Sequence, residues 1–516
     1  MERLKKRMAA SVAVIFLLTI AGCENNNGLS QVHSEPPLEI TWWSRLYPHI
    51  GKTAGNFSEI EFYQELERRT NTKLTFIHPS TPEHFNLMVS SGDLPDLIEK
   101  DFINDYSVGV QKAVDSGIII EIDQYIDQNA PNYKRVLEQH PDWDKQVKLD
   151  SGKHYTFAWF RGDESLTSWK GLQLREDLLE RAGLPLPETV ADWDAVLRSF
   201  KKQGVDYPFS PVGEEGLNAF VGPFGIGVSY YQEDGRVKYG PREPAYKDYL
   251  ALLNRWYQQG LLDPDFFAQD EDTLDAKVIN GQVAVFNMSA GGSMGKYIPV
   301  LAEKFPGAKL AGAKYPVMNR GEIPRFGQKD FEYFPETSVT ISTSCKYPAK
   351  VAGFLDYGYS EEGHMFYNFG IENVSYQMID GYPKYTPLIT DNPDGLAMQY
   401  AMSRYMASAY GGPFVQDKRY FEQYLKYPEQ KEAVERWKEQ DASSRIPPVA
   451  FTEPESELLA TTGKRITQFV KENNIRFITG QQSLELFDEY LSELQKMGIE
   501  EVIEAYQNAL NRYNDR

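Results

Sequence analysis

The sequence has 516 residues, with 54 Lys or Arg against 74 Asp or Glu, and a net charge of −20 at pH 7. Because the chain is acidic and has no clustered basic patch, it is not expected to bind nucleic acid. The seven histidines are scattered without an HExxH or similar spacing, and no P-loop or GxGxxG occurs, so neither a metal site nor a cofactor is predicted.

The N-terminus has the layout of a secretory signal. A basic stretch at 3–7 precedes an apolar run at 9–20 that is too short to span a membrane, and Ile-Ala-Gly then leads to Cys23. A cysteine at this place resembles the lipobox of bacterial lipoproteins. That resemblance implies a signal peptide over 1–22, cleavage before Cys23 and acylation, including palmitate, at the new N-terminus. The alternative is an ordinary signal peptide with a chance cysteine.

The residues after Cys23 support a membrane anchor. Residues 23–36 are polar and without periodicity, as in a flexible tether. A diacylated terminus would hold the protein at the extracellular face of the cell membrane without spanning it. The only other cysteine is Cys345, so no intramolecular disulfide is expected and stability must come from the size of the core.

The first elements in chain order predict an α/β arrangement. Residues 38–46 read as a strand, 59–69 as a helix and 73–78 as a second strand, and a polar stretch then leads to a third short strand within 91–100. This β-α-β-α-β order is typical of a lobe built on a largely parallel sheet.

The middle and the end of the chain are mainly helical. Between 171 and 202, the helix LREDLLERA is predicted to end at Gly183, and Thr189 is predicted to cap the next helix. A further helix is predicted over 246–259, and the stretch QVAVFNMS reads as a buried strand. From Ser456 onward the pattern is mostly helical.

Four blocks in order along the chain resemble family 1 extracellular solute-binding proteins, and more narrowly the large lipoproteins that serve oligosaccharide ABC importers. These blocks are SGDLPDLIEK (91–100), LREDLLERAGLPLPETVADWDAVLRSFKK (174–202), NRWYQQGLLDPDFF to INGQVAVF (254–286) and YSEEGHMFYNFGIENVSY (359–376).

The resemblance implies a periplasmic-binding-protein-like clamshell of type II. Each of its two α/β lobes would have a mostly parallel sheet flanked by helices. The N-terminal lobe would comprise residues 37–157 and 328–376, and the C-terminal lobe residues 158–327 and 377–516.

The function implied by the resemblance is that of a lipid-anchored, monomeric subunit of an ABC importer. It would capture an oligosaccharide, which could contain uronates, and deliver it unchanged to a membrane permease. One alternative is a binder of another solute, such as a peptide. The other is a surface polysaccharide-degrading enzyme, which needs two carboxylates set across a cleft; so acidic a sequence does not exclude such a pair.

One departure from the family bears on calcium. Relatives often carry a calcium loop after the AVLRSFKK helix, but here the segment reads KKQGVDYPFSP, with Asp206 as its only carboxylate. Calcium takes six to eight oxygen ligands, several of them from carboxylates, so no calcium site is predicted. The acidic run at 269–275 is interpreted as a solvated helix start.

The stretch EITWWSRLYPH (39–49) ends the first strand with aromatic and polar residues. Ligands of open α/β sheets bind beyond the carboxyl ends of the strands. Strand alternation sends Trp42 and Trp43 to opposite faces, so one is expected in the core and the other, with Tyr47, against a sugar ring. Arg45 could hold a carboxylate if the ligand is a uronate. In the alternative, both tryptophans are core residues and Arg45 forms a surface ion pair.

The remaining site candidates come from the matching blocks. Asp93 and Asp96 flank the turn before the third strand and could equally cap it, and Arg175 with Asp177 either faces the cleft or forms a pair on a helix surface. The other predicted ligand contacts lie at expected strand ends or at the first crossing between lobes: Trp159, Asn287, Ser289, Tyr333, Glu361, Phe369 and Tyr376.

Overall fold

The computed structural model describes residues 36–81, 83–106 and 108–516. The predicted signal peptide, the predicted lipidation of Cys23 and the predicted tether up to residue 35 lie outside these residues. Residues Leu38–Arg516 group into one compact unit. Among the helices that the structure describes, none combines the length and the apolar character needed to cross a membrane.

The strands of the described residues are short, and most lie in two sheets. They are β1 (Leu38–Trp43), β2 (Thr72–Ile77), β3 (Leu97–Glu99), β4 (Phe157–Arg161), β5 (Lys170–Arg175), β6 (Tyr207–Phe209), β7 (Tyr230–Glu233), β8 (Arg236–Tyr239), β9 (Val283–Ser289), β10 (Leu310–Gly312), β11 (Tyr333–Ile341), β12 (Tyr376–Ile379), β13 (Tyr382–Tyr385) and β14 (Val415–Gln416).

The α-helices of the described residues connect these strands and dominate the C-terminal part. They are α1 (Pro48–Gly51), α2 (Glu61–Thr70), α3 (Glu83–Ser91), α4 (Gly109–Asp115), α5 (Asp123–Asn129), α6 (Pro131–Gln139), α7 (Pro141–Gln146), α8 (Glu176–Ala182), α9 (Val190–Lys202), α10 (Ala245–Gln258), α11 (Glu271–Ile279), α12 (Gly295–Lys304), α13 (Pro348–Asp356), α14 (Glu361–Phe369), α15 (Pro387–Thr390), α16 (Met398–Tyr405), α17 (Lys418–Tyr424), α18 (Pro428–Lys438), α19 (Glu453–Leu458), α20 (Lys464–Thr479), α21 (Phe487–Lys496) and α22 (Ile499–Asp515).

Several predicted helix ends are confirmed by local geometry. Helix α8 ends at Gly183, whose φ of 65° is the left-handed conformation that glycine adopts without a Cβ clash. Thr189 caps α9 through a capping box with Asp192. Asp270 caps α11, so the acidic run does begin a helix. Only residues 203–206 connect α9 to β6, which is a tight turn in place of a long loop.

The six-stranded sheet has the order β14-β4-β11-β3-β1-β2. β1 pairs in parallel with β2 and β3, and β14 pairs in parallel with β4. β11 is antiparallel to both of its neighbours, β3 and β4. Five strands of this sheet therefore share one direction. The reversed strand is β11, which the chain enters from the other sheet.

The four-stranded sheet has the order β10-β5-β9-β6 and follows the same rule. β6 and β9 are parallel, whereas β5 is antiparallel to both β9 and β10. The chain enters β5 from the six-stranded sheet. β5 lies between β10 and β9, which both run toward that sheet. The predicted common strand direction is thus present apart from one strand in each sheet, and the sheets are mixed.

Each sheet has its own hydrophobic core, and the two tryptophans of β1 lie on opposite faces of the first sheet. Trp42 is 1% exposed and contacts Tyr63 and Phe76, in a cluster that includes residues of α2, α6 and α13. Trp43 is 3% exposed and packs against Phe85 of α3 on the other face. The prediction that alternation separates the two indoles is confirmed.

A separate large cluster surrounds the four-stranded sheet and includes residues of α9, α10, α18 and α20. The two-lobed α/β class is therefore confirmed. The first crossing between lobes follows Arg161, because β4 lies wholly in the six-stranded sheet.

Candidate functional site

The candidate site lies where the chain crosses between the two sheets. β1, β3 and β4 of the first lobe all run toward this region, as do β6, β9 and β10 of the second. The carboxyl ends of strands in open α/β sheets are the usual place for ligands, because backbone and loop groups converge there. We call this region the interlobe cleft.

One wall of the cleft is the segment that follows β1, residues 44–52. The guanidinium of Arg45 lies 4.7 Å above the ring of Tyr47, and its Nη2 is 2.6 Å from Glu336 Oε1. The hydroxyl of Tyr47 donates to Glu99 Oε1 at 2.7 Å. Burial raises the pKa of Glu99 to about 7, although this hydrogen bond and Arg45 act in the opposite direction.

The same segment reaches the second lobe. Lys52 Nζ lies 3.6 Å from Asp272 Oδ1 at the start of α11. His49 lies within aromatic contact distance of Tyr47 and Tyr410, and burial together with nearby Arg45 lowers the pKa of His49 to about 4. The imidazole is therefore neutral at physiological pH and offers an aromatic face and an uncharged polar atom.

The base of the cleft is a cluster around Arg161, the last residue of β4. Its guanidinium lies 4.4 Å from the ring of Trp159 and 5.1 Å from the ring of Phe334. It donates to Gln416 Oε1 at 2.9 Å and to Asp330 Oδ2 at 3.1 Å. Because Asp330 and Gln416 are distant from Arg161 in the sequence, Arg161 ties three segments of the chain together.

Trp169, at the end of the first crossing, extends this cluster toward the second lobe. Its indole N–H donates to Asp330 Oδ2 at 2.8 Å, and its backbone oxygen accepts from Ala290 N at 2.9 Å. The side chain is only partly buried. A partly exposed indole held at a fixed orientation is a suitable stacking surface for a ligand ring.

A bulge in β11 makes these contacts possible. The register between β11 and β4 shifts between Phe334 and Val339. The intervening residues leave the regular ladder, so that Phe334 reaches Arg161 while Glu336 reaches Arg45. Bulges commonly redirect side chains next to functional sites.

The second lobe contributes the carboxyl end of β9. The ring of Tyr424 lies directly against Gly291, where an added Cβ would overlap it, and Tyr424 donates to Gln399 Oε1 at 3.2 Å. Ser289 caps the turn that follows β9 and accepts from Ser293 N at 3.2 Å. An aromatic ring, an amide and hydroxyl groups therefore meet at one strand end.

This turn contains GGSMG (291–295), which has the letters of a GxSxG nucleophile elbow between a strand and a helix. Within the described residues, the side-chain partner of the Ser293 hydroxyl is the hydroxyl of Ser289, at 3.2 Å, and neither bonds a histidine. A serine without an adjacent base is not activated for attack. The geometry therefore offers an ordinary hydroxyl.

Two adjoining cavities of about 360 and 370 Å³ open beside the crossings. Both are lined by residues of the first lobe after β3 and by residues of the second lobe: Ile103, Asn104, Tyr230, Phe451 and Tyr506. The first cavity is also lined by Ser229, Asp330, Phe331, Tyr333 and Phe334. Cavities of this size, with aromatic walls and a few polar groups, are typical of small-ligand sites.

Some of the predicted site residues come together at the cleft. Arg45, Tyr47 and Trp159 line its base and wall, as described above. Tyr333 lines the first cavity, and its hydroxyl is 3.0 Å from that of Tyr155. Asn287 and Ser289 lie near the carboxyl end of β9, and Asn287 is buried.

The two tryptophans and Arg45 adopt the arrangement of the alternative interpretation. Both indoles are core residues in this structure, and Arg45 forms an ion pair with Glu336 in which the side chains are 52% and 40% exposed. Tyr47 is also buried, because Glu99 and the ring of Tyr410 hold it inward. Direct ligand contact by Trp43 stays a prediction.

Other predicted residues lie away from the cleft. Asp96 accepts from Thr41 N at 2.8 Å at the amino end of β3, which is the capping alternative, and Asp93 is exposed in the same turn. Arg175 forms a two-hydrogen-bond pair with Asp177 at the far end of β5.

The last three predicted residues are also remote from the crossings. Phe369 and Tyr376 are buried in the core of the second lobe, and Glu361 is exposed at the start of α14. Burial in the core gives Phe369 and Tyr376 a structural role, and the ligand contacts of all three residues stay predictions.

The structure adds cleft residues that the sequence did not single out: Glu99, Arg161, Trp169, Tyr230, Asp330, Phe334, Glu336 and Tyr424. A usable signal existed for Arg161, which ends the apolar run YTFAWF at a predicted crossing. For Glu336 no local signal exists, because a β-bulge leaves no reliable pattern in one sequence.

Comparison with known proteins shows which families and structures this chain is similar to. The family model described as bacterial extracellular solute-binding protein matches residues 55–365. The fructooligosaccharide ABC transporter substrate-binding protein FusA of Streptococcus pneumoniae is 28% identical over 266 residues, which are 46% of this chain and 49% of that protein. The chain thus matches about half the length of this relative.

Two further similarities extend along more of the chain. Lipoprotein LipO of Bacillus subtilis is 24% identical over 355 residues, or 64% of this chain and 67% of that protein. The crystal structure of the alginate-binding protein AlgQ2 without calcium ion superposes with a TM-score of 0.78 at 21% identity, covering 93% of this chain and 99% of that one. At this identity the superposition shows a shared fold.

Proposed function

Because the chain belongs to the bacterial extracellular solute-binding protein family, we propose that it is the substrate-binding subunit of an ABC importer and that its solute is an oligosaccharide. The sugar would bind in the interlobe cleft, the lobes would close on it, and a membrane permease would receive it unchanged. As predicted from the sequence, the binding subunit would act as a monomer.

The observation that carries this proposal is the composition of the cleft. The cleft has partly exposed aromatic rings, including Trp169, Tyr230 and Phe334. Beside them lie hydroxyl, amide and carboxylate groups, such as those of Ser229, Asn104 and Asp330. A sugar ring presents C–H bonds on its face and hydroxyls around its edge. Aromatic planes and fixed hydrogen-bonding groups match these two surfaces.

The named relatives point to the same ligand class. FusA is described as a fructooligosaccharide-binding protein and AlgQ2 as an alginate-binding protein. Both ligands are carbohydrate chains. We propose the cleft residues named above as the ligand contacts because of their positions in this structure.

The location proposed for the protein is the outer face of the cell membrane, through a lipid at Cys23. The family is extracellular by description, and a relative is named a lipoprotein. Replacing Cys23 by alanine should move the protein from the membrane fraction to the medium or periplasm. Retention of Cys23→Ala in the membrane fraction would contradict the lipid anchor.

The binding proposal is tested by isothermal titration of the purified protein with defined oligosaccharides, followed by mass analysis of the recovered sugar. Saturable binding of one sugar per protein, with the sugar recovered at its original mass, supports an importer subunit. Steady formation of shorter sugars would instead identify an enzyme. A peptide that binds where no sugar does would favour the other solute class.

A further inference from the structure

We propose that the ligand of the cleft is a neutral oligosaccharide and that acidic sugars such as uronate chains are discriminated against. This inference deepens the proposed function and rests on it. It is carried by the pairing of Arg45 and Arg161, the two arginines described above in the wall and base of the cleft, with carboxylates of the protein itself.

Arg45 is the cation that an acidic sugar would first meet after β1, but it is already paired. Its Nη2 is 2.6 Å from Glu336 Oε1, and its guanidinium lies over Tyr47. A ligand carboxylate that took the place of Glu336 at Nη2 would stand beside that displaced negative charge. A neutral hydroxyl requires no such exchange.

Arg161 does not bind a ligand carboxylate either, for a different reason. Its side chain is 9% exposed, and its terminal nitrogens are engaged by Asp330 and Gln416. Withdrawing the guanidinium from Asp330 would remove the cationic partner of a largely buried carboxylate, which is costly. Arg161 therefore organises the cleft and does not receive an anion.

Four lysines near the crossings are paired in the same way. The separations between Nζ and the carboxylate oxygen range from 2.6 to 3.7 Å in the pairs Lys170–Glu215, Lys329–Glu164, Lys52–Asp272 and Lys100–Asp105. These pairs are partly exposed and individually weak. Together they reduce the positive charge that these four lysines present to a polyanion.

The carboxylates themselves favour a neutral, hydroxyl-rich ligand. Glu336 is partly exposed, and Glu99 lies close to Arg45 and Tyr47 behind it. Hydrogen bonds from a hydroxyl to a carboxylate are stronger than bonds between neutral groups. The partly exposed carboxylate of Glu336 would repel a uronate, and the net charge of −20 opposes its approach at long range.

The test compares neutral and acidic oligosaccharides of equal length and matched linkage, such as trigalactose with trigalacturonate and further pairs of neutral and uronate chains. Calorimetric titration of the full-length protein at low salt should give neutral binding at least about tenfold tighter than binding of the acidic counterpart. Tighter binding of an acidic chain than of any neutral one would overturn the inference while leaving the proposed function intact. Failure of every sugar to bind would overturn both.

The variant Glu336→Gln tests the cause of the preference. It frees Arg45 without changing the size of the side chain, so the affinity for the acidic chain should rise several-fold relative to the neutral one. In Arg45→Gln the neutral preference should persist. If Arg45→Gln instead abolishes the binding of an acidic chain that the unaltered protein binds well, Arg45 is a carboxylate receptor and the inference is wrong. Thermal unfolding of each variant checks that it is folded.

Discussion

Replacing Trp169 by alanine should weaken sugar binding and should cost less folding free energy than truncating a fully buried tryptophan. The indole is partly exposed at the end of the first crossing, and its N–H is fixed by Asp330 at 2.8 Å. Truncating an aromatic anchor of a binding surface typically costs about 2 kcal/mol or more, which is roughly a thirtyfold rise in Kd. We expect a change of this size in Trp169→Ala.

The loss of folding free energy should be smaller than for a fully buried tryptophan, because Asp330 keeps other hydrogen-bond partners when the indole is removed. Asp330 retains Arg161 at 3.1 Å and Gln328 at 2.8 Å after the indole is removed. A hydrogen bond to a charged group contributes about 1.5–3 kcal/mol, and partial exposure places this one near the lower end. Truncating the fully buried Trp42, by comparison, should cost about 3–5 kcal/mol of folding free energy.

The assay measures the Kd by calorimetric titration and the free energy of unfolding by urea denaturation for the same preparations. Trp169→Phe is the matched control, since it keeps a ring for stacking but removes the N–H donor. Phenylalanine should therefore retain most of the affinity that alanine loses. If Trp169→Ala is folded and binds sugar as tightly as the unaltered protein, the assignment of Trp169 as a stacking surface is wrong.

Three further predictions concern stability. Trp42→Ala and Trp43→Ala should each lower the free energy of unfolding by about 3–5 kcal/mol in urea, because both indoles are buried; a stable Trp43→Ala that binds sugar weakly would restore its predicted ligand contact. His154 bonds both Asp123 and Asp144, and after the opposing effect of burial these partners leave the pKa of His154 raised. Its stabilisation is thus fully present below the unfolded pKa of about 6.5 and is lost as pH rises through the folded value; urea unfolding of His154→Gln against pH should lose this dependence, and an identical profile would refute it. A calcium chelator should leave the melting temperature unchanged, since the short turn between α9 and β6 has only Asp206 as a carboxylate; a large drop would reveal a calcium site.

Local signals made much of the fold predictable. The glycine after α8 and the capping threonine of α9 act through their own backbone neighbourhoods, so one sequence suffices to place them. The alternation of Trp42 and Trp43 is likewise a local property of a strand. The reversed directions of β5 and β11 were not predictable in this way, because they follow from how the chain passes between lobes.

The candidate site was less predictable because its contacts join distant parts of the chain. Arg45 meets Glu336 only through the bulge of β11, and Arg161 meets Asp330 and Gln416 only where three distant segments of the chain converge. The block that resembles the family suggested Arg175, but its pairing with Asp177 and its place at the far end of β5 give it a structural role. The sequence indicated which types of side chain could bind a ligand, but the structure was needed to show which of them lie close together.

The most direct test of the central claim is a titration of the purified protein with a neutral oligosaccharide panel, with the scattering radius of the protein measured in the same samples. We predict that at least one neutral oligosaccharide binds saturably at one site. Binding should reduce the radius of gyration because the lobes close, and the sugar should be recovered chemically unchanged. Absence of binding across the panel, or recovery of shortened sugars, would contradict it.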